Sequence, residues 1–412
     1  MSAFPAHLET ITWSGRRPFF RRLMGTLHDT LFQAASVALD EQDSATGAMP
    51  AGHNGPWGDP ETPVRNTGHW AITFLECYER TGEDRFREAA EDAVSYLLRP
   101  EARPGGATFH HRQSTDKDRC NGLIGQAWTI EALVVAADGF DRPDLIELAE
   151  EVFLTHPFEE DLAAWHPVEL DGTVQPIDMT FNHQLWFAAA GGLLADHPKS
   201  GDAVDRQVRR YLDELEANLN VMDNGLVYHP FKPDFDVWKY GRIFYEGVKA
   251  GIAYTMVLGV LSGMFGNDDG AESSEGGWTE KSIGYHSFNL YAFALLREVY
   301  PNHPVWRTNA IQRTLAYATS PEYVEDLEGN PYGYPYNVSG IEMAYVLETF
   351  DLGDESDRHR WLERQFSRTY DAESNRMTRN NPDPTTLTAR LYEATRVSDV
   401  EISTDFETGD EI

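Results

Sequence analysis

Lysine is scarce in this chain. Only six of its 34 basic residues over 412 positions are lysine (Lys117, Lys199, Lys232, Lys239, Lys249 and Lys281), set against 67 acidic residues and a formal charge of −33. The acid is spread along the length rather than held in one tail. That distribution argues against a nucleic-acid partner, which needs a basic footprint. Charge of this size repels itself in dilute buffer, whereas concentrated salt shortens the screening length to a few ångströms, so the surface reads as salt-adapted and cytosolic. Cysteine is nearly missing too: Cys77 and Cys120 show no CxxC or Cys/His spacing, and neither a disulfide framework nor a zinc site is expected. No window reaches the ~18 uninterrupted apolar residues of a membrane span. The most apolar stretch, Gly247 to Phe265, contains Lys249, Tyr254, Thr255 and Ser262 and reads as a buried helix. The opening MSAFPAHLETITWSGRRPFF lacks a basic segment followed by an apolar run, so no secretory signal is expected. There is no Walker loop, dinucleotide glycine fingerprint, HExxH or GxSxG, and the aspartates of Gly266 to Gly270 lack calcium-loop spacing. ATP, NAD and serine-hydrolase chemistry are therefore poor readings, and neither a cofactor nor a metal is expected.

What is present is a repeating grammar: an apolar helix, a tight polar turn, and a second helix. It recurs from Gly68, from Asn121 and from Tyr285. Turns such as Thr81-Gly82-Glu83-Asp84, Asp141-Arg142-Pro143-Asp144 and Gly353-Asp354-Glu355-Ser356 combine helix-ending Gly or turn Pro with an acidic N-cap. First helices are predicted near Thr67, Asn121, Thr180, Tyr245, Ser282, Ser339 and Thr385, and second helices near Arg85, Pro143, Ala203, Pro304 and Asp357. The first kind is apolar nearly all round and the second carries a polar stripe, which assigns them to inner and outer layers. The long irregular segments Ala48 to Asn66, Pro104 to Cys120, Pro157 to Met179, Val221 to Phe244 and Thr319 to Val338 must then return to one rim. The fold class is all-α, an (α/α)6 toroid with Phe19 to Leu39 as the opening outer helix. A seven-hairpin toroid is the alternative, because Tyr245 to Phe265 lacks a clear outer partner. Residues 1–396 form the toroid, and 397–412 an acidic tail.

Chemistry is sought at the leading tips of the inner helices, where main-chain amides and the helix dipole favour anionic groups. His69 and Trp70 lie on the first, and Asp118 and Asn121 precede Gln126 and Trp128 on the second. Asp178 precedes His183, Tyr245 and Glu246 open the fourth, Tyr285 and His286 the fifth, and Tyr336 precedes Glu342 on the sixth. Aromatic rings beside Asp, Glu, His and Asn are what a sugar site requires, since a ring stacks on the apolar face of a pyranose while polar groups bind its hydroxyls. Two schemes fit. Hydrolysis needs a protonated carboxyl and a partner that activates water, drawn from Asp118, Asp178, Glu246 and Glu342. Isomerisation needs bases that remove and return a proton at one sugar carbon, for which His183 and His286 are the natural pair and His69 the reserve. His69, Trp70, Asn121, Gln126, Trp128, Tyr285 and Tyr336 are the expected substrate contacts, and Arg65, Arg119 and Arg242 could hold a substrate carboxylate. A non-catalytic glycan-binding scaffold would need the same aromatic rim without paired ionisable groups.

The run from Asn121 to Trp128 resembles the RGQAW element of unsaturated glucuronyl hydrolases: Gly125, Gln126, Ala127 and Trp128 match, and Ile124 stands where that family has arginine. That family has an (α/α)6 fold and hydrates uronic acid ends with an aspartate acid/base. The hairpins with rim histidines are also similar to the N-acylglucosamine 2-epimerase family, again (α/α)6. Over nearly its whole length, acidic composition included, the chain resembles the AglQ-type proteins of haloarchaeal N-glycosylation clusters. That resemblance implies a part in building the uronic-acid-bearing glycan of a surface-layer glycoprotein. It implies a free, lipid-linked or nucleotide-linked sugar as substrate, inside the cell, with other glycosylation-pathway proteins as partners. An assembly pathway has more use for altering a sugar than for cleaving one, which favours an isomerase, with a hydrolase as the alternative.

Overall fold

The computed structural model describes residues 24–231 and 275–403. The expected helix from Tyr245, with Glu246 and Arg242, and the acidic segment Gly266 to Gly270 lie outside those residues.

Helices alternate between two layers, and sequence chemistry explains the alternation. Helix α1 (Leu27–Ala38) starts from a capping box in which Thr26 accepts from the Asp29 amide and Asp29 returns the bond. Helix α2 (Val64–Thr81) is buried along most of its length and stops at Gly82, whose φ of +70° suits glycine. Its partner α3 (Asp84–Leu97) buries one face through Phe86, Ala90, Ala93 and Leu97. The next hairpins repeat this: α4 (Gly122–Phe140) with α5 (Pro143–Thr155), and α6 (Phe181–Asp196) with α7 (Asp202–Asn218). A kinked pair follows, α8 (Glu275–Gly284) and α9 (His286–Val299), and then α10 (Asn309–Ala318) and the short α11 (Pro321–Leu327). The last are α12 (Ser339–Thr349) with α13 (Glu355–Thr369), and α14 (Pro384–Ala389), which runs into a 3-10 segment at Arg390–Arg396.

Neighbour relations close a ring. Helix α2 packs on α4, α4 on α6, α6 on α9, α9 on α12, α12 on the 3-10 segment, and that segment back on α2. Among the described residues these are six inner members. Because α6 meets α9 directly, the ring closes as the six-hairpin form among the described residues. The opening helix α1 serves as outer partner of the closing segment. Helix α4 is long and apolar enough to pass as a membrane span, but most of it is buried as inner wall.

The first and last described residues are tied together. Strand β1 (Met24–Thr26) pairs antiparallel with β2 (Glu401–Ser403), Gly25 opposite Ile402. Val397, Val400 and Ile402 are buried. Residues 397–403, expected to begin a tail, are therefore packed; the apolar alternation inside an acidic stretch is what draws them in.

Inner and outer helices touch closely at Gly340, the second residue of α12. A Cβ there would sit 2.2 Å from the Trp361 carbonyl oxygen on α13. Backbone cannot yield as a side chain can, so Gly340→Ala is expected to lower unfolding free energy by ~1–3 kcal/mol. Urea denaturation of the variant checks this; an unchanged midpoint would mean the two helices can separate freely.

Candidate active site

The irregular segments return to one end of the ring, and there they enclose a cavity of about 130 Å3. A cavity of ~150 Å3 holds a benzene ring, so one sugar ring is the scale of ligand that fits.

One wall is aromatic. Trp57 and Tyr332 lie 5.6 Å apart between ring centres, Tyr285 and Tyr336 5.9 Å, and His229 and Tyr285 5.0 Å. A second wall is more polar. Asn121 sits in the left-handed region at φ 58° as the residue before α4, and beside it come Arg112, Lys117 and Ile124. Asp118 organises this wall from behind: Oδ1 accepts from the Gly122 amide at 2.6 Å, and Oδ2 holds Arg112 at 2.8 Å.

The floor carries two buried guanidiniums. Arg65 is held by Glu61 at 3.1 Å and by Asn54, and lies 4.0 Å from the Trp128 ring centre. Arg390 donates to Glu342, Glu393, Asn337 and the Tyr336 carbonyl. Burial pushes the Glu342 carboxyl up, and the neighbouring Glu393 adds to it, against the pull of Arg390. Below them His69 stacks on Tyr392 at 4.2 Å, with both ring nitrogens buried and without a hydrogen-bond partner among the described residues. Burial first, then Arg65 and Arg390, hold its pKa well below the ordinary histidine value. It is a neutral imidazole.

Two imidazoles border the cavity itself. His183, in the first turn of α6, has Nδ1 2.6 Å from Asp178 Oδ2. Burial would raise the Asp178 pKa, but His183 and the bonds from Thr180 outweigh it and hold it below the ordinary aspartate value. An ionised Asp178 fixes the proton on His183 Nδ1 and leaves Nε2 as the basic nitrogen. His229 lies in the segment after α7, its carbonyl accepting from the Phe181 amide at 3.0 Å and its amide donating to Ser282 Oγ. Burial, then Lys281, then His183 lower its pKa well below the usual value. Lys281 lines the cavity with its ammonium 4.4 Å from the Trp57 ring centre and 5.3 Å from that of Trp278.

Of the residues singled out from sequence, Arg65, Asn121, Trp128, His183, Tyr285 and Tyr336 line the cavity. Asp118, Asp178, Glu342 and His69 stand immediately behind residues that do. Four are turned elsewhere, and for the three on inner helices helical phase is the reason. Tyr285 and Phe288 face the cavity, so His286, about 100° round the helix from its neighbour, faces the outer layer. There it accepts from the Val227 amide, bonds the Thr314 carbonyl and sits between Tyr317 and Tyr323. Trp70, one residue past His69, stacks on Phe74. Gln126 accepts from the Phe109 amide and donates to the Phe109 and Cys120 carbonyls, clamping the preceding loop onto α4. Gln184 does the same one hairpin later, to Trp165 and Asp178. Arg119 turns to His110. His229, Lys281 and Arg390 were not singled out; for Lys281 the scarcity of lysine was the available signal.

A metal is poorly served here. Asp118, Cys120 and Glu169 bring possible ligand atoms within 4.8 Å of one another. Burial pushes the Cys120 thiol far up, however, and its sulfur is bonded to Asp118.

No protein-family model matches the chain. Solved structures of like shape include cellobiose 2-epimerase from Bacillus thermoamylovorans, with a TM-score of 0.60 at 10% identity over 89% of this chain and 98% of that one. Another is an unsaturated glucuronyl hydrolase specific for heparin, with a TM-score of 0.54 at 10% identity over 90% and 95%. At such identities they establish the toroid fold alone. Archaeal glycosylation protein Q of Haloferax volcanii is 44% identical over 382 residues, spanning 93% of this chain and all of the relative. Identity of that degree over nearly the full length of both sequences makes this chain a member of the archaeal glycosylation protein Q family.

Proposed function

We propose that the protein is a sugar isomerase or epimerase acting on a hexuronic acid-type sugar during N-glycan assembly, inside a salt-adapted cell. One observation carries this reading: an imidazole oriented by a carboxylate, His183 with Asp178, shares a single sugar-sized cavity with a second imidazole, His229. Such a pair suits removal of a proton from a carbon next to a carbonyl and its return to the same or the neighbouring carbon. Arg65 on the floor offers planar donors that match a carboxylate, while Arg390, whose N–H groups are spent on Glu342, Glu393, Asn337 and the Tyr336 carbonyl, adds positive charge beside it. Five cationic side chains line the cavity in a strongly acidic chain, and among the described residues the one lining carboxylate is Asp59, itself paired with Lys117 at 3.0 Å.

Hydrolysis is less well served. It calls for two carboxyls flanking the scissile bond at about 5 to 9 Å. The candidates Asp118, Asp178 and Glu342 are instead engaged with Arg112, His183 and Arg390. A scaffold that merely holds a glycan has no need of the oriented His183. The family relationship supports a place in protein glycosylation, with surface-layer glycoprotein as the destination of the glycan and pathway enzymes as partners.

The test is incubation with glucuronic acid, its 1-phosphate and a nucleotide-linked glucuronic acid in D2O, followed by NMR. Deuterium on a carbon next to a carbonyl, with a second isomer appearing, is the expected result. Release of the sugar without exchange at carbon would establish a hydrolase instead, and binding without either would establish a scaffold.

A further inference from the structure

A carboxamide both donates and accepts, so burying one without partners is unfavourable unless a ligand supplies them. Asn182, in the first turn of α6, is such a group. It is 2% exposed, lines the cavity, and its Oδ1 is buried with no hydrogen-bond partner among the described residues.

Resting on the isomerase reading, we infer that Asn182 is a specificity-determining residue, binding the substrate hydroxyl on the carbon next to the one that His183 deprotonates. Three observations support the assignment. First, Asn182 does not fill the roles that asparagine ordinarily plays near a helix start. Helix α6 has no side-chain cap, and the clamp onto the preceding segment is made by Gln184. Second, other carboxamides bordering the cavity are spent on the protein itself. Asn54 Oδ1 accepts from Arg65 and from the Tyr336 hydroxyl. Asn337 donates to the Gly284 and Tyr332 carbonyls and accepts from Arg390.

Third, Asn182 directly precedes His183, and both border the cavity. The turn that carries them is fixed by bonds from the Phe181 amide to the His229 carbonyl and from the His183 amide to the Thr180 carbonyl. A sugar whose C–H faces the imidazole therefore presents a hydroxyl of the adjoining carbon to the carboxamide. Oδ1 accepts from that hydroxyl, and Nδ2 donates to its oxygen. A site built around a hydroxyl rejects the analogue that lacks it, because the buried amide is then left unmet. The substrate is thus a sugar hydroxylated beside the reacting carbon, and one deoxygenated there is excluded.

The experiment crosses wild type and Asn182→Ala with glucuronic acid and its 2-, 3- and 4-deoxy derivatives, reading calorimetric affinity, kcat/KM and deuterium uptake. Wild type should lose ~10–10²-fold in kcat/KM with one derivative. That derivative should be the 4-deoxy sugar if deuterium enters at C5, and the 3-deoxy sugar if it enters at C2. Asn182→Ala should lose as much with glucuronic acid but less than about threefold more with that derivative, since the contact is already gone. Its thermal midpoint should be unchanged or higher, because a buried group without a partner has been removed. Equal losses with every sugar, a lowered midpoint without sugar selectivity, or no loss at all would overturn the assignment. Binding to wild type without exchange would remove the isomerase reading, while the same cycle in affinities still decides whether Asn182 binds a hydroxyl. Failure of all four sugars to bind wild type would remove both.

Discussion

Replacing His183 by asparagine is expected to lower turnover of the uronic acid by ~10²–10⁴-fold, the range for losing a positioned general base. His183 lies in the first turn of α6, whose backbone is fixed by the Gln184 clamp and by the Phe181 amide bond to His229. Asparagine is therefore expected to leave the fold intact. Asp178→Asn is the sharper experiment, because it keeps the shape and removes only the charge that sets the tautomer. An amide NH2 turned toward His183 would place the proton on Nε2, where the substrate needs a lone pair. The expected loss is ~10²-fold or more at neutral pH, with KM within a few-fold of wild type. Both are read by steady-state kinetics and by the rate of deuterium uptake, and glycan composition measured by mass spectrometry gives the cellular counterpart. Less than a tenfold loss in both variants would remove His183 as a base.

The ring was legible because its signals are local and repeated. Gly82, Pro143, Gly353 and Asp354 stop and start helices through backbone geometry that each residue enforces by itself. Composition separated the layers, since α4 has no polar face to give to water. Which side chains share a cavity was less legible. His183 and His286 occupy similar places near the tips of inner helices, yet one enters the site and the other packs outward. A turn of 100° per residue decides this, and the phase depends on how each helix leans on its neighbours. His229 belongs to an irregular segment with no period to read; the Phe181 and Ser282 bonds that place it join positions far apart in sequence. The GQAW run was read as a binding element, whereas Gln126 spends its amide on the backbone of the preceding loop. A polar residue on an apolar inner helix marks an unmet backbone group nearby as readily as a ligand.

Replacing Arg390 by methionine is expected to destabilise the protein by ~3–5 kcal/mol, the usual loss when one member of a buried ion cluster is removed. Arg390 is 2% exposed and Glu342 and Glu393 are no more than 1% exposed. Without the guanidinium, two carboxylates face each other away from water, and the 3-10 segment that closes the ring loses its bonds to Asn337 and the Tyr336 carbonyl. The deficit should depend on pH. In the wild type, burial and then Glu393 raise the Glu342 pKa from an unfolded value near 4.5 to about 8, so the folded protein takes up a proton. The stability this confers is full below about pH 4.5 and is lost as pH rises through about 8. Methionine at 390 removes the one cation opposing that shift, so the variant should fall furthest behind wild type above pH 7 and recover toward pH 5. Glu342→Gln is the control: it retains an oxygen for the Arg390 Nη2 donor but cannot titrate, and its stability should vary less with pH across the same window. Denaturation midpoints at pH 5, 7 and 9 for the three proteins separate the cases. Parallel pH curves for wild type and Glu342→Gln would mean that Glu342 stays ionised across this window, held so by Arg390.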